Sequence, residues 1–187
     1  MKPHVTLAET QTPNGARMTL VAHDGSFCIR VNGQQLMHSD VSTSELELGR
    51  LGCELVARAK NPRILIGGLG LGFTLRSVLE KSLPGAAIHV AEVFPEIRAW
   101  NRTHLASLNG RLLADPRVTV FEEDVRQVLR RATRAPYDAI VLDIDNGTTA
   151  MVSDDNHELY GLRGIQDIAA ALKPGGRAAI WSASPDA

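Results

Sequence analysis

The chain has 187 residues, 44% hydrophobic and 22% charged, with a net charge of −1, which is one domain's worth of sequence with enough apolar content for a proper core. That charge excludes a global field toward nucleic acid or anionic membrane, and 4% aromatic residues leave no stacking platform for single strands. No run is long and apolar enough for a bilayer, Met1 to Val5 lacks the apolar core of a signal peptide, and Cys28 and Cys53 lack metal-ligand spacing. The expectation is a reduced, cytoplasmic protein with no membrane and no nucleic-acid partner.

Residues 1–40 read as a small antiparallel β-meander. Asn14-Gly15, Asp24-Gly25 and Asn32-Gly33 are hairpin signals, because both residues of each pair tolerate the positive φ of a type I′ turn. Ser42-Thr43-Ser44-Glu45 then has the form of a capping box, with Leu48, Leu51, Leu55, Val56 and Ala59 as the buried face of the helix it opens. Asn61-Pro62 stops that helix.

From Arg63 the pattern is βα alternation, so residues 41–187 read as an α/β, Rossmann-like domain with a parallel sheet. Ile64-Leu65-Ile66 is a continuous apolar run suited to a strand covered on both faces. Gly68, Gly70 and Gly72 follow, removing side chains where the backbone must turn sharply and approach a ligand, and a helical pattern resumes at Phe73. The next strand ends at Glu92, close to the offset of about 20 residues at which a carboxylate accepts from ribose hydroxyls. A helix from Pro95 to about Leu108, a strand over 117–121, a short helix through Val128 and Leu129 and a strand over 137–143 come next. The loop from Ile144 to Glu158, a helix over 162–172 and a strand over 177–183 complete the pattern.

Glu92, Asp124 and Asp143 each close a parallel strand, the edge at which open α/β sheets bind ligands. Glu92 is assigned to the ribose, Asp124 to the adenine amino group and Asp143 to the reacting centre. The spacing G-x-G-x-G differs from the dinucleotide G-x-G-x-x-G and points to a nucleoside donor of the S-adenosylmethionine type, hence to a transferase. His38, His104 and His157 have no ligand spacing, and no metal is expected. Trp100 and Trp181 read as packing residues, and Arg126, Arg130, Arg131 and Arg134 as a solvated helix face.

Several stretches resemble the spermidine synthase (polyamine aminopropyltransferase) family, within the class I methyltransferase fold. They are Arg63 to Gly68, Val90 to Glu96, Asp115 to Val118, Tyr137 to Asp143, Leu159-Tyr160 and Leu172 to Gly176. Asn32-Gly33-Gln34-Gln35 is similar to the family's Asp-Gly turn, with Gln35 as the glutamine that helps hold the nucleoside. The resemblance implies decarboxylated S-adenosylmethionine as donor, a small-molecule amine as acceptor, methylthioadenosine as by-product and Asp143 as proton acceptor. It also implies a homodimer; Asp145, Asn146 and Tyr160, with His157, are the candidate acceptor contacts in and after the loop that follows Asp143.

The chain departs from that pattern where the family carries acids and a tyrosine. Gly70 stands at the position of the turn aspartate that holds the donor's amine, Asn146 at the second acid of the Asp-x-x-Asp loop, and Ser44 at the tyrosine. These departures keep two alternatives open: an S-adenosylmethionine-dependent small-molecule methyltransferase, and a non-catalytic nucleoside-binding homologue. The fold implies an antiparallel strand pair beyond the fifth strand. Its absence from the sequence leaves either a truncated chain or an edge strand covered by a partner subunit.

Overall fold

The computed structural model describes residues 3–144 and 156–182. The N-terminal part is a four-stranded antiparallel sheet in sequential order: β1 (Val5–Gln11), β2 (Arg17–His23), β3 (Ser26–Val31) and β4 (Gln34–His38). Asp24 and Gly25 (φ 49° and 91°) and Asn32 and Gly33 (48° and 82°) form the type I′ turns that the sequence predicts. The Asn14-Gly15 signal resolves differently. Only Gly15 has positive φ there, and β1 and β2 are joined by a longer loop closed by Thr12 N–H to Ala16 C=O.

After helix α1 (Thr43–Cys53), strands and helices alternate. β5 (Arg63–Gly67) leads to α2 (Phe73–Lys81), and β6 (Ala87–Ala91) to α3 (Pro95–Arg102) and α4 (Ala106–Asn109). A 3-10 turn (Leu112–Ala114), β7 (Val118–Phe121), α5 (Val125–Ala132) and β8 (Tyr137–Leu142) follow, then α6 (Asn156–Tyr160), α7 (Leu162–Ala171) and β9 (Leu172–Ile180). The second sheet is all-parallel in the order β7-β6-β5-β8-β9. Strand order reverses between β5 and β8, which creates a crevice at their carboxyl ends. The α/β architecture with a separate antiparallel N-terminal sheet is therefore as expected. One apolar cluster joins the two: Met18, Leu20 and Ile29 of the first sheet pack in the same core as Ile64, Ile66, Leu71 and Trp100.

Local expectations fare unevenly. The capping box does not form: Ser42 is the N-cap without a side-chain bond, and Ser44 Oγ instead bonds the Glu45 carboxylate at 2.5 Å. α1 ends at Cys53, so Leu51 and Leu55 are exposed while Leu48 and Val56 are buried. Close approach replaces those leucines. A Cβ on Gly49 would lie 2.7 Å from Ser77 Cβ, and one on Gly52 would lie 2.5 Å from Val141 Cγ2. The helix expected from Pro95 to Leu108 is interrupted at Thr103, whose backbone leaves the helical region. β9 starts at Leu172, five residues earlier than predicted, and accommodates Pro174-Gly175-Gly176 by a register shift against β8.

Candidate functional site

The glycine turn runs from the end of β5 to the start of α2. Gly68, Gly70 and Gly72 have φ of 88°, 49° and 91°, a region that favours glycine. Space excludes a side chain as well. A Cβ on Gly68 would lie 2.2 Å from the Asp143 carbonyl oxygen, and one on Gly72 would lie 2.8 Å from Asn101 Oδ1.

The turn is braced from below and from one side. Glu92, 7% exposed, accepts from Leu69 N–H and Phe94 N–H, both at 2.9 Å. Burial raises its pKa, and the backbone amides around it pull the other way. Asn101 donates to Gly70 C=O at 2.8 Å and Asn109 to Leu71 C=O at 2.6 Å, and Arg76 holds Asn109. Two side-chain amides and one carboxylate thus fix the backbone against which a ligand would rest.

Asp143 directly follows β8, with its N–H bonded to Gly67 C=O. Its carboxylate accepts from Thr74 Oγ1 at 2.6 Å, and Thr74 also approaches Glu45 C=O at 3.2 Å. Burial pushes the Asp143 carboxyl up, Thr74 opposes this, and the charge of Glu45 adds to it, leaving a pKa of about 6. The residue as a whole keeps some accessible surface. This is a carboxylate tuned toward neutral pH at the switch point of the sheet, as a general base requires.

Asp124 is differently engaged. It caps α5 by accepting from Arg126 N–H at 2.8 Å, and its oxygens also take the Arg126 guanidinium. Burial pushes its pKa up but the Arg126 hydrogen bonds outweigh that, leaving it below the ordinary value. The arginines of α5 are therefore not a merely solvated face: Arg126 pairs with Asp124, Arg130 with Asp167 and Arg131 with Glu123.

Tyr160 sits near the strand end, its hydroxyl donating to Ile144 C=O at 3.4 Å. Gln35 lies exposed on β4, opposite Arg30 in the register, on the face turned away from core residue Ile29. Asp145 and Asn146 lie outside the described residues. The structure thus gathers Gly68, Gly70, Gly72, Glu92 and Asp143 at one crevice and puts Asp124 at the next strand end. Sequence reasoning passed over Thr74, Asn101 and Asn109, and read Glu45 only as part of a capping box; only the fold brings them to the turn.

Other features fall outside the crevice. Cys53 is buried, with its thiol pushed up to about 11, and Cys28 is also buried. Among the described residues no cluster of His, Cys, Asp or Glu could hold a metal, and no helix is long and apolar enough to cross a membrane. A cleft of about 620 Å³ between α2 and the 3-10 turn is lined by Arg76, Glu80, Arg111, Asp115 and Arg117. Arg117 is fully engaged there by Asp115 and by the carbonyls of Leu79 and Ser82, which close the C-terminal end of α2.

No family model matches the chain. A polyamine aminopropyltransferase of Mycobacterium tuberculosis is 31% identical over 125 residues, and one of Corynebacterium efficiens 34% over 124. Each alignment takes in 65% of this chain but only 23% and 22% of those proteins, so the chain spans under a quarter of the length of the curated relatives it matches. A crystal structure of spermidine synthase in complex with the transition-state analogue AdoDATO superposes with a TM-score of 0.68 at 18% identity. It covers 90% of this chain and 53% of that one. The spermidine synthase of Thermotoga maritima gives 0.66 at 19%, with 90% and 54% coverage. A probable spermidine synthase of Corynebacterium glutamicum gives 0.67 at 19%, with 95% and 63%.

Proposed function

We propose that this chain, similar in sequence to polyamine aminopropyltransferases and sharing the spermidine synthase fold, binds a nucleoside sulfonium donor at the glycine turn and transfers its aminopropyl group to an amine. The observation that carries the reading is Asp143 at the β5/β8 crevice, its backbone carbonyl against Gly68 and its carboxylate, with a pKa of about 6, accepting from Thr74. The acceptor is a small-molecule amine and the donor decarboxylated S-adenosylmethionine. The nitrogen lone pair forms a bond to the carbon beside the sulfonium while the carbon–sulfur bond breaks. The bonding pair returns to sulfur, leaving neutral methylthioadenosine. The proton lost by the nitrogen passes to Asp143, which must be ionised to take it.

Glu92 fits a role beneath the turn, positioning the amides over which the ribose lies, with its backbone-bonded oxygens as the second partner of the sugar hydroxyls. Asp124 and Gln35 are read as adenine-side and nucleoside contacts, and Asp145, Asn146 and Tyr160 as acceptor contacts. The same reading places the protein in the cytoplasm as a homodimer. Among the described residues β9 is the last strand of the parallel sheet, and exposed Leu162 and Ile165 of α7 are apolar groups that a partner subunit would cover.

The test is incubation of the purified chain with decarboxylated S-adenosylmethionine and a panel of amines, following methylthioadenosine by chromatography. Release that depends on the amine, and that Asp143→Asn removes, is the expected result. Methyl transfer from S-adenosylmethionine with no aminopropyl transfer would replace this reading by a methyltransferase. Nucleoside binding without turnover of either donor would replace it by a non-catalytic binder.

A further inference from the structure

The cleft beside α2 shares none of the crevice groups: Glu92, Asp143 and the turn glycines do not line it. One wall is Arg76 and Glu80 of α2, the other is the segment from Asn109 to Arg117, and about 620 Å³ lies between them. Three arginines and two acids line it, and their pairing is unequal. Arg117 and Asp115 satisfy each other through bonds of 2.8 and 2.9 Å, and Arg117 also donates to the carbonyls of Leu79 and Ser82.

Arg76 is left short. Its guanidinium lies 5.1 Å from the centroid of the Phe73 ring and donates to Asn109 Oδ1 at 3.0 Å. Its Nε is buried and has no hydrogen-bond partner among the described residues, because the Glu80 carboxylate stands 3.8 Å away. The Glu80 side chain is 63% exposed, which makes it a loose counterion. Arg111 brings a further guanidinium from the opposite wall. With Asp115 committed to Arg117, the lining sets two arginines against one loosely held acid. A buried donor without an acceptor is unfavourable, and an oxyanion relieves it. Guanidinium forks match phosphate oxygens in pairs, and a tetrahedral dianion has oxygens enough to meet two of them.

We propose that this cleft is a binding site for a phosphate group, held between Arg76 and Arg111. The site is separate from the nucleoside crevice and stands whether or not the donor reading above is correct. It is nevertheless joined to the glycine turn. Arg76 holds Asn109, and the Asn109 amide donates to Leu71 C=O at 2.6 Å. A phosphate bridging the two walls fixes Asn109 between them, so occupancy of the cleft stiffens the turn.

Calorimetric titration of the full chain with inorganic phosphate, in a phosphate-free buffer at constant ionic strength, tests this. Saturable binding is expected, and Arg111→Gln and Arg76→Gln should each weaken it by about tenfold, as loss of a charge-assisted bond does. Glu80→Gln removes the competing acid and should tighten it by about threefold. Arg130→Gln, on α5, should leave it unchanged. Amide hydrogen exchange over residues 69–72 should slow when phosphate is added to the wild type and not when it is added to Arg111→Gln. Tighter binding of glycerol 3-phosphate than of inorganic phosphate would assign the cleft to a phosphate monoester, and equal binding to the free ion. No saturable binding, binding that Arg111→Gln leaves intact, or binding that Glu80→Gln weakens would overturn the inference, and unslowed exchange would overturn the link to the turn. Thermal denaturation reports folding, and Arg111→Gln decides alone if Arg76→Gln, which also loses its bond to Asn109, does not fold.

Discussion

Asp143→Asn should stabilise the protein at neutral pH while removing its proposed activity, and the size of the effect follows from the burial of one carboxylate. Asp143 has a pKa raised from 3.8 to about 6, chiefly by burial. A folded-state pKa above the unfolded one means that the native protein holds a proton the unfolded chain has released. Stability therefore falls as pH rises from about 4 through about 6, and the full penalty is present above that window. Each pKa unit corresponds to about 1.36 kcal/mol, so a shift of about two units is worth up to about 3 kcal/mol. Residual solvent access at Asp143 reduces this to between about 1.5 and 3 kcal/mol.

Asparagine carries no charge to desolvate, and its side-chain oxygen can still accept from Thr74. At about 2–4 °C per kcal/mol for a chain of this size, the variant should melt about 3–12 °C higher than wild type at pH 8. Thermal denaturation followed by circular dichroism from pH 4 to pH 8 measures the difference. It should become small at pH 4, where native Asp143 is protonated and the unfolded carboxyl is only about half ionised. A pH-independent difference, or a variant less stable at pH 8, would refute the claim that Asp143 is a destabilising buried charge retained for chemistry.

Thr74→Val removes the 2.6 Å bond that favours the ionised form of Asp143. The acid limb of the pH–rate profile should move to higher pH, at a stability cost of about 1–2 kcal/mol; an unmoved limb would separate Thr74 from the base. Gly72→Ala must adopt φ near 91° with its Cβ 2.8 Å from Asn101 Oδ1. It should destabilise the protein by about 1–3 kcal/mol and weaken methylthioadenosine binding, and unchanged melting and affinity would show that the turn tolerates a side chain.

What could be read directly from the chain was whatever a few neighbouring residues decide. The Asp24-Gly25 and Asn32-Gly33 turns, the buried strand before Gly67, and the acids closing β6, β7 and β8 follow from local φ preference and apolar patterning. So does the α/β order, because each βα unit announces itself. Errors occurred where local signals competed. Ser42 and Glu45 fit a capping box, yet Glu45 turns inward toward Thr74 and Asp143, and the capping bonds are not made. Leu51 and Leu55 fit a helical face, yet the helix stops short and its contact is made by Gly49 and Gly52, whose missing side chains carry no hydrophobic signal.

The sequence by itself determined the kind of site: a glycine turn with carboxylates at successive strand ends. The tertiary structure decided how that site is equipped. Asn101 and Asn109 grip the turn from α3 and α4, Thr74 sets the charge state of Asp143 from the start of α2, and Met37 covers Gly70 from a different sheet. Backbone conformation and strand polarity depend on neighbours in the chain, so they are written there. Desolvation and contact across the crevice depend on residues dozens of positions apart, and those distances exist only once the two sheets share a core.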